Sequence, residues 1–86
     1  MKLSDIEVLG QYKILDVWLI TLTDIEASEL LFLGLYRGET ITLLNTDSSG
    51  CSIVVKDYCY NISKKLASCI VVEIVKEKKY ESNSIM

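Results

Sequence analysis

The side chains that carry most enzyme chemistry are thinly represented in this chain. There is no histidine, so neither a Ser–His nor a Cys–His nucleophile pair can form. Three thiols are present, Cys51, Cys59 and Cys69. An odd number at wide spacing argues against a disulfide framework and for reduced cysteines. If Lys56-Asp57 is a two-residue turn, Val54 lies opposite Cys59 and Cys51 opposite Ile62. Side chains alternate between the faces of a strand. Cys51 and Cys59 then point to opposite faces and cannot share an ion, and Cys69 comes much later in the chain. All three read as small buried hydrophobes, leaving room for at most a weak transition-metal contact with iron or zinc. The glycines Gly10, Gly34, Gly38 and Gly50 are scattered and form no phosphate loop. Asp24 and Glu26 pair better with a helix N-terminus than with each other as acid and base. These residues point away from catalysis and toward binding.

Charge narrows the class of partner. The formal net charge is −3. The lysines at Lys64-Lys65 and within Lys76 to Lys79 are short runs, and Glu73, Glu77 and Glu81 offset the second. A nucleic-acid binder needs a basic stripe that releases counterions from phosphates, so no nucleic-acid partner is expected. No apolar segment follows Lys2 as a secretion signal requires. The longest apolar runs, Val17 to Ile20 and Cys69 to Val72, fall far short of the ~20 residues that span a bilayer. A cytoplasmic protein with no direct membrane insertion is expected.

The elements that must position any site follow from local patterning. With 86 residues there is room for one domain with a thin core. Leu3, Ile6 and Val8 belong to an entry segment, with a turn at Leu9-Gly10. Gln11 to Trp18 alternates imperfectly as a strand, with Tyr12, Ile14 and Asp16 on one face. Thr23-Asp24-Ile25-Glu26 is a capping box, and the helix it starts runs to Leu33, where Gly34 can adopt the left-handed stop. Ile25, Leu30, Leu31 and Leu33 are expected on its apolar face. Strands are expected over Thr40–Leu44, Cys51–Val55, Tyr58–Ile62 and Cys69–Ile74, with a hairpin loop at 45–50 and a short helical turn capped by Ser63. The fold class is mostly β, and a strand set this small hides its edges by curling into an SH3-like β-barrel with one helix between the first strand and the meander. The barrel is expected over residues 1–75, with a polar tail over 76–86.

One stretch has more apolar residues than its place requires. Trp18, Leu19, Ile20 and Leu22 exceed what a short strand-to-helix connection needs, and Phe32 follows on a helix already supplied with core leucines. Trp18 and Leu22 can close the end of the barrel. Leu19 and Phe32 are the residues expected to be exposed, and with Trp18 and Ile20 they form a candidate surface for a partner or for a homodimer.

In this order the chain resembles the FeoA family, the small proteins of bacterial ferrous-iron uptake. The resemblance covers Met1 to about Glu73. It rests on Met1-Lys2-Leu3-Ser4-Asp5, on the corner Leu30 to Gly38 with its Leu33-Gly34-Leu35 core and following Gly38, on Ile41-Thr42-Leu43, and on Tyr60 to Ala67 with Ile70-Val71-Val72. Ser28 and Glu29 stand where family members often carry arginine, Phe32 where a polar residue is usual, and Arg37 where proline commonly precedes the glycine. The resemblance implies an SH3-like fold and a non-catalytic accessory role, with docking on the cytosolic G-protein region of a FeoB-type transporter. Leu33, Gly34, Leu35 and Gly38 then read as structural residues of the family motif. An alternative is a stand-alone metal-sensing domain, since the same fold resembles the C-terminal domain of metal-dependent repressors.

Overall fold

The computed structural model describes residues 1–77. A 3-10 turn at Leu3–Asp5 leads into strand β1, Gly10–Val17. A second 3-10 turn, Leu19–Thr21, precedes helix α1, Asp24–Leu33. Strands β2 (Thr40–Asp47), β3 (Gly50–Val55) and β4 (Tyr58–Ser63) form the meander. A four-residue helix α2, Lys64–Ala67, then delivers the chain to β5, Ile70–Glu77. The last residues of the expected tail, 78–86, lie outside the described residues.

All pairings are antiparallel, in the order β4-β3-β2-β1-β5. β1 is thus shared between the meander and the returning strand β5. Its alternation places Tyr12 and Ile14 inside and Gln11 and Lys13 outside. Ile14 pairs with Val72 while Asp16 pairs with Val71, so Leu15 is an extra residue. That bulge reverses the facing of the two strand residues after it. Asp16, expected on the Tyr12 face, is therefore exposed, and Val17 packs against the core.

A second irregularity lengthens the meander. Leu43 pairs with Ile53 and Asn45 with Ser52, leaving Leu44 as the extra residue. β2 therefore continues to Asp47, and the hairpin loop shrinks from the expected 45–50 to Ser48-Ser49. The Asp47 carboxylate holds this turn by accepting from the Ser49 N–H (2.8 Å), the Ser49 hydroxyl (2.7 Å) and the Gly50 N–H (3.2 Å). At the other end of β3, Lys56 and Asp57 form a two-residue turn, both with positive φ (50° and 71°). This is the pattern that matches the twist of a tight hairpin.

The core combines Tyr12, Ile14, Ile41, Leu43, Ile53, Val55, Ile70 and Val72 from the sheet with Leu3, Ile6, Leu30, Leu35, Leu66 and Ala67. The buried phenol of Tyr12 donates to the Val8 carbonyl. The expected barrel does not close: among the described residues no ladder joins β4 to β5. Helix α2 carries the chain from one sheet edge to the other in four residues and buries Leu66 and Ala67 in the core. The first half of the β5 edge is covered by the N-terminal segment, through a Lys2–Val71 bridge and a hydrogen bond from the Val72 N–H to the Met1 carbonyl (2.7 Å). Covering an edge in this way blunts strand-to-strand association.

At Gly50 the backbone of β4 approaches closely. A Cβ added there would overlap the Ile62 carbonyl oxygen on β4, which is backbone and cannot swing aside. Gly50→Ala is expected to destabilise the protein by about 2 kcal/mol, at the middle of the range for overpacked sites. Urea denaturation followed by circular dichroism checks this, and an unchanged midpoint would contradict it.

Candidate partner-docking surface

The apolar connection between β1 and α1 is held at both ends and bare in the middle. The Trp18 N–H donates to the Cys69 carbonyl (2.7 Å), which pins the exit of β1 to the start of β5. The Leu22 N–H closes the 3-10 turn on the Leu19 carbonyl (3.0 Å), and the Leu22 side chain packs on the core. Thr21 Oγ1 lies 3.4 Å from Cys69 Sγ. Between these anchors Ile20 projects at 94% exposure. Trp18 and Leu19 are about half exposed, and the Lys2 ammonium sits 4.7 Å from the Trp18 ring centroid, a cation–π contact.

Helix α1 is positioned by its two ends. Thr23 accepts from the Glu26 N–H (3.1 Å) and the Glu26 carboxylate accepts from the Thr23 N–H (2.9 Å), the reciprocal capping box. Glu26 also bridges to Lys65 Nζ on α2 (3.0 Å). At the other end Gly34 takes the left-handed conformation (φ 87°). The Gly34 N–H donates to the Leu31 carbonyl (3.1 Å) and the Leu35 N–H to the Leu30 carbonyl (2.9 Å). That is a Schellman stop. It turns Leu35 into the core beside Leu30, with Leu33 partly buried. Gly38 follows with φ 93°, and its N–H donates to the Ile14 carbonyl (2.8 Å), which leads the chain into β2.

The apolar face expected on α1 is corrected by the structure. Leu30 is buried and Leu33 partly so, but Ile25 and Leu31 are 81% and 60% exposed. At ~100° per residue, Ile25 sits about 140° around the helix from Leu30, so both cannot face the sheet. Phe32 is 88% exposed. Between the turn and the helix lies an apolar cleft of about 190 Å³, lined by Leu19, Leu30, Leu31 and Leu35 with Asp16, Tyr36 and Arg37 at its border. The cleft brings Leu19 and Leu31 onto one surface. Phe32 neighbours Leu31 on the outer side of the helix, whereas Trp18 and Ile20 are not among the cleft residues. Ile25 and Leu31 were absent from the candidate surface drawn from the sequence. The signal for Ile25 was its seven-residue spacing from Phe32, two helical turns on one side, away from Leu30.

The thiols are dispersed. Cys51 is buried opposite Ile62, and burial first, then the Asp47 carboxylate, pushes its thiol up to about 11. That disfavours the thiolate a metal would require. Cys59, expected to be buried, is exposed, because it pairs with Val54 on the face of edge strand β4 turned away from the core. Cys69 is buried and lies 3.5 Å from the Lys65 carbonyl. Among the described residues, no three His, Cys, Asp or Glu side chains converge as a metal site. Among the same residues, no helix is long and apolar enough to cross a membrane. A wider, polar depression of about 610 Å³ borders Ser4, Asp5, Glu7, Asp47 and Lys64, and its Asp47 is already occupied by the β2–β3 turn.

The FeoA domain matches residues 1–74. The chain belongs to the FeoA family. No curated protein matches it. Among solved structures it is similar to an iron uptake regulatory protein, FeoA, at 23% identity and a TM-score of 0.71, covering 84% of this chain and 93% of that one. It is similar to a FeoA-like protein from Clostridium acetobutylicum at 17% identity and a TM-score of 0.73, covering 94% and 93%. It is also similar to ScaR with bound Zn2+, at 25% identity and a TM-score of 0.74, covering 87% of this chain and 37% of ScaR. The fold is thus the SH3-like fold of FeoA proteins, and in ScaR it forms one part of a longer chain.

Two consequences for the helix can be measured. Thr23→Ala removes the cap and is expected to cost about 1 kcal/mol in urea denaturation. The Glu26 carboxyl is held below its usual range, first by the Thr23 N–H and then by Lys65. A depressed folded pKa contributes stability above the ordinary carboxylate range and loses it as pH falls through the folded value. The acid limb of Tm against pH is therefore expected to be shallower in Glu26→Gln than in the parent.

Proposed function

We propose that this FeoA-family protein is a non-catalytic accessory component of ferrous-iron transport, acting by docking on the cytosolic G-protein region of a FeoB-type membrane transporter. Family membership supplies the iron-transport context. The observation that carries the docking reading is the exposed apolar side chains at the β1–α1 connection and on α1, where Trp18, Leu19, Ile20 and Phe32 reach solvent and Leu19 shares a cleft with Leu31. Large apolar side chains left exposed on one region of a small domain mark an interaction site. The cleft is of a size to take one partner side chain as an anchor. On this reading the protein works in the cytoplasm and handles iron through its partner, not through ligands of its own.

A second reading, a metal-responsive domain that binds iron or zinc by itself, draws on the likeness to part of ScaR. The absence of histidine and the opposed faces of Cys51 and Cys59 weigh against it. Titration calorimetry with ferrous iron and with zinc separates the two, since stoichiometric tight binding favours the metal-responsive domain.

The docking reading is tested with the transporter in lipid nanodiscs. Phe32→Ser combined with Leu19→Ser is expected to weaken binding at least tenfold while the circular dichroism spectrum is unchanged. Binding equal to that of the parent would overturn this surface as the contact. A dimer in sedimentation that the same pair of substitutions dissolves would assign it to self-association.

A further inference from the structure

Helix α1 carries three carboxylates and no basic residue, and their placement around its axis is specific. Glu26 is turned toward α2 and paired with Lys65. Asp24 and Glu29 are exposed and make no ion pair among the described residues. At ~100° per residue, Phe32 and Ile25 lie within about 20° of each other on the outer face, with Asp24 some 80–100° to one side and Glu29 about 40–60° to the other. The solvent face of α1 therefore carries one aliphatic and one aromatic side chain two turns apart, with exposed Ser28 between them and a carboxylate on each flank. Seams of this kind, apolar with charged flanks, choose a helical partner by the sign of its own flanking charges.

Resting on the docking reading above, we infer that the occupant of this face is an amphipathic helix of a partner protein whose apolar seam is flanked by lysine or arginine. A partner helix lies along Ile25 and Phe32, one side chain enters the cleft beside Leu31 and Leu19, and cations on its flanks meet Asp24 and Glu29. A second copy of this chain fits less well. An antiparallel pair of α1 helices centred on Ser28 and Glu29 sets the two Glu29 side chains side by side, and a parallel pair sets Asp24 of each helix against Glu29 of the other. Arg37 lines the cleft, but Asp16 lines it too and offsets that charge.

The test uses the full chain and two synthetic helical peptides of the same leucine seam, one with lysine at every flanking position and one with glutamate. Fluorescence anisotropy is expected to show the lysine peptide binding at least tenfold more tightly than the glutamate peptide. Glu29→Lys, a change on the solvent side of the helix, is expected to weaken the lysine peptide at least tenfold. Phe32→Ser is expected to do the same without altering net charge. Equal binding of the two peptides overturns the inference, as does a lysine-peptide affinity indifferent to Phe32→Ser, which reduces the effect to surface charge. Self-association of the parent that Phe32→Ser abolishes also overturns it. Binding to the transporter that falls with Phe32→Ser but not with Glu29→Lys overturns the basic helix and leaves docking intact. Peptide preference retained without transporter binding overturns the docking partner alone.

Discussion

Leu30 and Leu35 are the two side chains that seat the helical corner on the sheet, and the hydrogen bond from the Leu35 N–H to the Leu30 carbonyl holds them side by side. It forms because Gly34 adopts a left-handed conformation that a residue with a Cβ reaches only at a cost. Burying two leucines contributes about 3–6 kcal/mol, a large share of the net stability of a domain this small. With the corner fixed there, the rest of α1 has no sheet beneath it. Ile25, Leu31 and Phe32 are left facing water because the anchor consumes only one side of the helix.

The same anchor defines the surface proposed for docking. The cleft between Leu19 and Leu31 lies where the 3-10 turn, tethered to Cys69 through Trp18, meets the end of the helix that Leu30 and Leu35 seat on the core. Two separately anchored elements leave a gap between them. The docking proposed above uses this apolar gap, lined also by Tyr36 and Arg37, to seat a partner side chain.

Small sheets of this kind must also manage their edges. Here the solution is asymmetric. Residues 1 and 2 cover the start of β5, and α2 fills the end between β4 and β5 where a closed barrel would have carried a ladder. The architecture therefore encloses its core with side chains where hydrogen bonds do not close the ring.

Local chemistry determined most of the element list. Thr23 and Glu26 mark the helix start, Gly34 its end, Lys56-Asp57 a two-residue turn, and Ser63 the start of α2, because caps and turns are satisfied by neighbours in the chain. The register that places Cys51 and Cys59 on opposite faces follows from that turn alone. Which residues face the core was a different matter. A bulge adds one residue with no signature of its own, so the facing of Asp16 and Val17 and the extension of β2 to Asp47 were decided by pairing with β5 and β3. Likewise, four apolar residues on α1 suggested one buried face, but the sheet had room for Leu30 and part of Leu33. The apolar excess around Trp18 to Leu22 and at Phe32 was legible from composition. That Leu19 meets Leu31 across a cleft, and that Ile25 joins Phe32 on an acid-flanked seam, depended on where the tertiary anchors fell, because solvent exposure belongs to the packed molecule and not to any segment of it.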